Sequence, residues 1–184
     1  MNVIDAIHAR QSLGKVRPDA VPRMKIEQLL SAAVQAPNHY KVRPWRFVVI
    51  TGEARQRLGE AMAAALRRKI PEAMAEVLDK ERAKPLRAPL VIAVGADRPS
   101  EPKILEIENV CAAAAACENL LLAAVDMGLV GYWRTGDAAR DAEVKALLGL
   151  EENEIIAFLY LGYPEANVER RERPGYEDRT RWMD

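Results

Sequence analysis

Apolar residues recur along this chain at two spacings, which predict an alternation of helices and strands. A spacing of three to four residues predicts helices at residues 2–9, 23–35, 52–82, 104–127 and 137–148. Runs rich in β-branched and other apolar residues predict strands at residues 46–51, 90–95, 129–133 and 155–163, and the first of these is expected to be buried. Pro71 interrupts the third helix, and Gly128 and Gly149 are placed to end the last two. This order of elements predicts an α+β or three-layer sandwich fold.

The length of the chain fits a single domain. Its 184 residues are close to the usual size of one globular unit, and a polar, arginine-rich extension follows Pro164 at residues 165–184. Five consecutive alanines at 112–116 allow a neighbouring helix or sheet to approach closely, so helix 104–127 is expected at the centre of the domain. We expect Cys111 and Cys117 on this helix to be reduced core thiols of a cytoplasmic protein.

Charge and hydropathy argue against several classes of function. The chain has 27 basic and 27 acidic residues, whereas a dedicated nucleic-acid-binding domain usually carries a basic excess. The longest apolar run, Val110–Cys117, is far shorter than the roughly 20 residues that cross a bilayer. Asp5, His8 and Arg10 stand where a signal peptide would be apolar. We therefore expect no nucleic-acid partner, no membrane contact and no secretion.

The common catalytic and phosphate-binding motifs do not occur in the sequence. Neither GxGxxG nor GxxxxGK[ST] is found, so dinucleotide-fold and P-loop interpretations lose their main signal. The only histidines, His8 and His39, are far apart, and both cysteines lie on one predicted helix, so no zinc site is predicted. No Ser-His-Asp or Cys-His arrangement stands out. We assign no catalytic residue and no metal ligand.

Polar clusters remain next to the ends of the apolar elements. They are Arg10-Gln11-Ser12, the loop from Gln35 to Trp45, Arg134-Thr135-Gly136, and the group Arg170, Arg171 and Arg173. A guanidinium presents two parallel N–H groups to two phosphate oxygens. Two or three such contacts, with stacking and burial, are enough for a micromolar phosphate site, which is worth roughly 8 kcal/mol.

Three segments carry a family resemblance. They are Ala9-Arg10-Gln11-Ser12; Ala36-Pro37-Asn38-His39 leading to Pro44-Trp45-Arg46-Phe47; and Gly131-Tyr132-Trp133-Arg134-Thr135-Gly136, followed by Phe158 to Pro164. In order and spacing they resemble the R-[R/H]-S, AP-x(6)-PW-x-F, G-x-W-R-[S/T]-G and F-x-x-[L/I]-G-x-P motifs of the nitroreductase family, the FMN-dependent NAD(P)H oxidoreductases. The match covers residues 1 to about 165 and is nearest to the short YdjA-like branch.

The resemblance implies a fold, an assembly and a set of cofactor-binding residues. The fold is a three-layer α/β/α sandwich with a mostly antiparallel central sheet, in which residues 1–184 form a single nitroreductase-like domain. The assembly is an obligate homodimer with two FMN sites at its interface. The implied FMN-binding residues are Arg10, Gln11, Ser12, Arg134, Thr135 and Gly136 of one subunit, with Gln35 and His39 of the other. Lys41 and Arg43 are candidate cations for the pyrimidine edge of the flavin.

The resemblance also implies a reaction. NADH or NADPH passes a hydride to flavin N5 and leaves, and a small nitroaromatic or quinone-like acceptor is reduced in its place, by ping-pong kinetics. Gln11, Gly14 and Arg43 depart from the usual family pattern. Two alternatives stay open: a relative of the same fold with other redox chemistry, such as reductive dehalogenation or flavin fragmentation, and a non-enzymatic flavin- or ligand-binding module. Bound flavin separates both enzymes from a binding module whose flavin site is degenerate. Turnover of NAD(P)H with a nitroaromatic or a quinone separates the nitroreductase from the relative with other redox chemistry.

Overall fold

The computed structural model describes residues 1–169 and 171–183. Its helices are α1 Val3–Ala9, α2 Arg23–Ala33, α3 Ala54–Lys69, α4 Ala75–Arg82, α5 Glu106–Asp126 and α6 Ala142–Leu148. Its strands are β1 Trp45–Thr51, β2 Leu90–Asp97, β3 Val130–Arg134 and β4 Asn153–Gly162.

The predicted elements are present, with small changes at their ends. The Asn2 side chain caps α1 by accepting a hydrogen bond from the Asp5 N–H over 2.9 Å. The predicted helix 52–82 is two helices, α3 and α4, with a break around Pro71. The predicted helix 137–148 begins as a 3₁₀ turn, Asp137–Arg140, and continues as α6 after the cap residue Asp141.

The four strands form one antiparallel sheet in the order β1-β2-β4-β3. The two central strands, β2 and β4, are buried along most of their length. The prediction that 46–51 is a buried strand is wrong in part, because β1 lies at the edge of the sheet. Only Trp45 and Ile50 of β1 are buried.

Helices cover both faces of the sheet, which confirms the predicted α/β/α sandwich. On one face α2 and α5 pack against the sheet through Leu29, Leu120, Ile92 and Leu159. On the other face the core contains Leu58 and Met62 of α3, Val144 of α6, and Val91 and Phe158 of the sheet. Each face of the sheet therefore has its own apolar core, formed between the sheet and the helices that cover that face.

Helix α5 lies in the core as predicted. By length and composition alone it could cross a membrane, but its apolar face, including Ala113, Ala116 and Leu120, is fully buried against the sheet and α2. Cys117 is also buried, and this burial raises the pKa of its thiol to about 12, so the thiol stays protonated. The prediction that Cys111 is a core thiol is wrong, because it lies on the exposed face of α5.

Gly59 is the point of closest approach between α3 and α4, and it provides a test of the packing. A Cβ at this position would overlap the backbone carbonyl oxygen of Arg82. We expect Gly59→Ala to lower the free energy of unfolding by about 2–3 kcal/mol, measured by urea denaturation. Helix propensity alone predicts the opposite sign, a gain of about 1 kcal/mol. A stabilised variant would therefore contradict the observed packing.

Candidate functional site

The Arg10–Ser12 segment is held against strand β3. Ser12 forms an isolated parallel bridge with Gly131, and the Leu13 N–H donates to the Gly131 carbonyl over 3.3 Å. Gly131 also lets β3 approach α5, because a Cβ at this position would overlap Leu121 of that helix. The N-terminal segment and the turn that follows β3 are thereby brought to the same side of the sheet edge.

Arg134, Thr135 and Gly136 form the turn after β3. Gly136 has φ 111° and ψ −173°, a conformation that residues with a side chain adopt only under strain. Within residues 1–169 and 171–183, the backbone N–H groups of Thr135 and Gly136 donate to no other residue. The turn therefore offers two neighbouring donors to a ligand.

The Arg134 side chain is half-buried and has no acidic partner in the part of the chain that the structure describes. Its Cζ atom lies 4.4 Å from the centroid of the Tyr132 ring, while no carboxylate oxygen of a described residue comes within 4.0 Å of its guanidinium. A cation–π contact leaves the five N–H donors of the guanidinium unused. They are available to an anion or a carbonyl group.

A cavity of about 190 Å³ adjoins this turn, and we call it the turn cavity. It is lined by Met62, Ala65, Leu66, Glu81, Lys84, Arg134, Thr135, Gly136, Asp137, Ala138 and Tyr160. Lys84 and Glu81 form an ion pair at its wall. Sequence reasoning missed both, because they belong to no motif and only the folding of α4 back onto α3 brings them to the turn.

Tyr160 is a second residue of the turn cavity that the sequence did not single out. It comes from the central strand β4 and is buried. Burial raises the pKa of its hydroxyl to about 12, and the positive charges of Arg134 and Arg87 oppose that rise. The hydroxyl is therefore protonated at neutral pH and can donate a hydrogen bond.

A larger cavity of about 450 Å³, the tail cavity, lies between the N-terminal segment and the C-terminal extension. It is lined by Gln11, Leu13, Gly14, Lys15, Pro164, Glu165, Ala166, Asn167, Val168, Glu169 and Arg171. Arg173 donates a hydrogen bond to the carbonyl of Arg10. The structure thus places Arg171 and Arg173 of the extension beside Arg10–Ser12, whereas the third arginine of that cluster, Arg170, lies outside the described residues.

Gln35 and His39 lie apart from both cavities and are exposed. The Gln35 amide donates to the Ser31 carbonyl over 3.4 Å, and His39 Nε2 lies 3.8 Å from a Glu108 carboxylate oxygen. Lys41 and Arg43 do not line the two cavities either, and both have positive φ, 56° and 52°. Such backbone conformations are sparsely populated for non-glycine residues and mark this loop as a candidate contact region.

An open groove of about 670 Å³ lies on another side of the same turn. Ile107, Val110, Ile155 and Ile156 give it an apolar lining, and Thr135 and Gly136 form part of its wall together with Arg140, Glu106, Ala139 and Glu154. The nearby Trp133 is not among its lining residues. Its indole N–H donates to the Ile156 carbonyl over 3.1 Å, and its ring packs against the core.

Comparison with known proteins finds relatives in one family. The model of the nitroreductase family matches residues 7–163. An Escherichia coli K12 protein named "Putative NAD(P)H nitroreductase YdjA" is 32% identical over 171 residues, which are 90% of either chain. A nitroreductase-like family protein of Bacillus cereus superposes with a TM-score of 0.83 at 24% identity, over 100% of this chain and 97% of the other.

A further solved structure has the same fold. It is the FMN-dependent nitroreductase NfnB of Mycobacterium smegmatis in complex with NADPH, with a TM-score of 0.76 at 20% identity, over 99% of this chain and 98% of the other. The family model covers most of the chain, and the E. coli relative exceeds 30% identity over nine-tenths of it. The chain therefore belongs to the nitroreductase family of oxidoreductases.

Proposed function

We propose that this protein binds FMN and transfers reducing equivalents from NADH or NADPH to nitroaromatic or quinone-like acceptors by a ping-pong mechanism. The observation that carries the proposal is the set of unused donors at the turn after β3. A half-buried guanidinium without an acidic partner and two free N–H groups converge there within the described chain. Thr135 and Gly136 are exposed, so their N–H groups, together with the Arg134 guanidinium, are accessible to a polar ligand that enters the turn.

The donor set fits a flavin better than it fits a simple anion. An isoalloxazine ring presents carbonyl and ring-nitrogen acceptors along one edge, which the N–H groups of Thr135 and Gly136 can bind. The ribityl phosphate needs cations at a distance from the ring. Lys15 and Arg171 line the tail cavity, and Arg173 lies beside it on the Arg10 carbonyl. The Arg10 guanidinium lies 3.4 Å from a Glu118 carboxylate oxygen, so it would bind the phosphate in competition with that ion pair. The spread of donors over two cavities matches a ligand with two polar ends. The E. coli relative's name and the NfnB structure support the same cofactor and co-substrate.

The chain's own residues position the cofactor and shape its surroundings. When bound, FMN accepts a hydride equivalent from a nicotinamide and releases it to an acceptor. Arg134, Thr135 and Gly136 would hold the ring edge, Ser12 would contact the ribityl chain, and Arg10 would bind the phosphate. No side-chain acid or base is needed for these roles.

Lys84 is a further candidate for the positive charge near the pyrimidine edge of the flavin, in addition to Lys41 and Arg43. It lines the cavity together with Arg134 and Thr135, which Lys41 and Arg43 do not. A cation beside the pyrimidine edge favours the more negative, reduced state of the cofactor. Glu81, its ion-pair partner, would be left uncompensated if Lys84 were removed.

Replacement of Lys84 should therefore lower the reduction potential of the bound flavin. We expect a fall of about 30 mV or more for Lys84→Met, which corresponds to roughly 1.4 kcal/mol for a two-electron couple. Lys84→Arg keeps the positive charge, so this variant should keep most of the wild-type reduction potential. The matched control is Lys80→Met, which removes a lysine paired with Glu76 on the exposed surface of α4. Equal potentials for the Lys84→Met and Lys80→Met proteins would refute this role.

The proposed assembly is a homodimer in the cytoplasm, with Gln35 and His39 of one subunit contacting the flavin of the other. Its support is the exposed apolar surface of helix α1, where Val3, Ile4 and Ile7 point to solvent in the single chain. Contiguous exposed apolar surface commonly marks a protein–protein contact. A second chain that covers α1 would bury this surface and bring the strained 38–44 loop into contact with a neighbour.

The open groove supports an aromatic acceptor. Its isoleucine and valine side chains can cover an aromatic ring, and its wall at Thr135 and Gly136, which it shares with the turn cavity, would bring that ring next to the proposed flavin edge. The activity test is steady-state oxidation of NADH and NADPH by the FMN-loaded protein with a nitroaromatic or a quinone. Parallel double-reciprocal plots would support ping-pong transfer. Flavin binding without turnover of either acceptor would instead favour other redox chemistry on this fold.

A further inference from the structure

Gln11 touches the C-terminal extension, which gives it a role beyond the site residues described above. Its side chain is only 8% exposed, and its amide Nε2 donates a hydrogen bond to the Glu169 carbonyl over 2.6 Å. We propose that Gln11 is a positioning residue that fixes the extension over the tail cavity, so that Arg171 and Arg173 can bind the cofactor's phosphate. This inference rests on the proposed FMN binding.

The extension is tied to the N-terminal segment at both ends of a short arch. At its start, Val16 and Pro164 form an isolated antiparallel bridge, and the Arg17 N–H donates to the Tyr163 carbonyl over 2.8 Å. Residues 165–168 then span the tail cavity. The Gln11–Glu169 bond closes the arch.

The position of this bond along the chain decides what it can orient. Glu169 stands two residues before Arg171 and four before Arg173, so fixing its carbonyl limits where both guanidinium groups can reach. Lys15 and Arg171 line the cavity beneath the arch. The described residues of the extension from Glu165 onward are exposed, and beyond the Gln11–Glu169 bond the extension is tied to the N-terminal segment by the hydrogen bond from Arg173 to the Arg10 carbonyl.

A buried amide is well suited to this task. Its N–H group pairs with a backbone carbonyl that no substitution at residue 169 can remove. If the bond is broken, the Gln11 amide and the Glu169 carbonyl must each find another partner or be hydrated by solvent. An arginine or histidine at this position would add charge near the phosphate, whereas the neutral glutamine leaves that charge to the extension.

The test compares a flavin that has the phosphate with one that lacks it. We would measure the Kd of FMN and of riboflavin by flavin fluorescence for the full-length protein and for Gln11→Leu, which keeps the size but lacks the amide. We expect FMN binding to weaken about tenfold and riboflavin binding to change by less than about twofold. Gln56→Leu, at an exposed position on α3, is the matched control.

A double-mutant cycle shows whether Gln11 acts through the arginines. In an Arg171→Met/Arg173→Met background, Gln11→Leu should cause no further loss of FMN affinity, because the groups it positions are gone. Faster cleavage of the extension by a protease in Gln11→Leu would show that the arch has opened. The melting temperature of each variant confirms that it is folded.

The outcomes distinguish a failure of the positioning role of Gln11 from a failure of the proposed FMN binding. Equal loss of FMN and riboflavin affinity would mean that Gln11 contacts the ring directly, and additive loss in the arginine background would mean that it acts independently of the extension. Either result, or unchanged FMN affinity in Gln11→Leu, overturns the positioning role while FMN binding stands. A wild-type protein that binds neither flavin overturns both.

Discussion

Arg134→Met should weaken FMN binding by at least about tenfold and leave the fold intact. The guanidinium stacks on Tyr132 and lines the turn cavity, and no acidic group of the described chain lies within ion-pair distance of it. Removing it therefore breaks no ion pair in the protein and costs mainly the contact with the ligand. Arg10→Met is also expected to weaken FMN binding, although it additionally breaks the ion pair between Arg10 and Glu118. Flavin fluorescence titration measures both variants.

The control for charge alone is Arg57→Met, an exposed arginine on α3. It removes one positive charge and should leave the Kd of FMN unchanged. Circular dichroism melting of all three variants checks the fold. If the Arg10→Met/Arg134→Met double variant keeps wild-type FMN affinity, neither residue belongs to the cofactor site.

Dissociation of the protein to monomers should release FMN completely. The proposed site takes Gln35 and His39 from a second chain, and in a single chain both lie away from the turn and tail cavities. A charge in the exposed apolar face of α1 should prevent association, because the partner would have to bury it unpaired. Ile4→Glu is the variant of choice, since Ile4 is 62% exposed and its replacement disturbs no core packing.

Sedimentation velocity with detection at a flavin wavelength measures assembly and cofactor content together. The wild-type protein should sediment as a flavin-containing dimer, and Ile4→Glu as a colourless monomer. Met74→Glu, which changes an equally exposed apolar residue at the start of α4, should remain a flavin-containing dimer. Flavin that sediments with a demonstrated monomer would refute a site shared between two chains.

The sequence was informative wherever a local pattern determines the structure. Periodicity located the helices and strands, and Gly128 and Gly149, which follow α5 and α6, both have the positive φ that favours glycine there. The edge position of β1 was not predictable in this way, because apolar content does not say which strands have two neighbours in a sheet. Cys111 and Cys117 likewise differ in exposure only because α5 turns one face to the core.

Within the candidate site, the residues in motifs could be found from the sequence and the others could not. Arg134, Thr135 and Gly136 are consecutive, so their shared turn follows from order along the chain. Glu81 and Lys84 reach the same cavity only through the packing of α4 on α3, which no spacing in the sequence records. The tail arginines could be assigned to the site only from the Gln11–Glu169 and Arg173–Arg10 contacts in the structure, because these contacts join segments more than 150 residues apart.

The most direct test of the central claim is an absorption spectrum of the purified protein after it is mixed with FMN and desalted. The account predicts the two visible and near-ultraviolet bands of an oxidised flavin, at about one FMN per chain, because Arg134, Thr135 and Gly136 hold donors that no described residue of the protein pairs with. A colourless protein at saturating FMN would contradict it. The resemblance to the nitroreductase family would then extend to the fold but not to the cofactor.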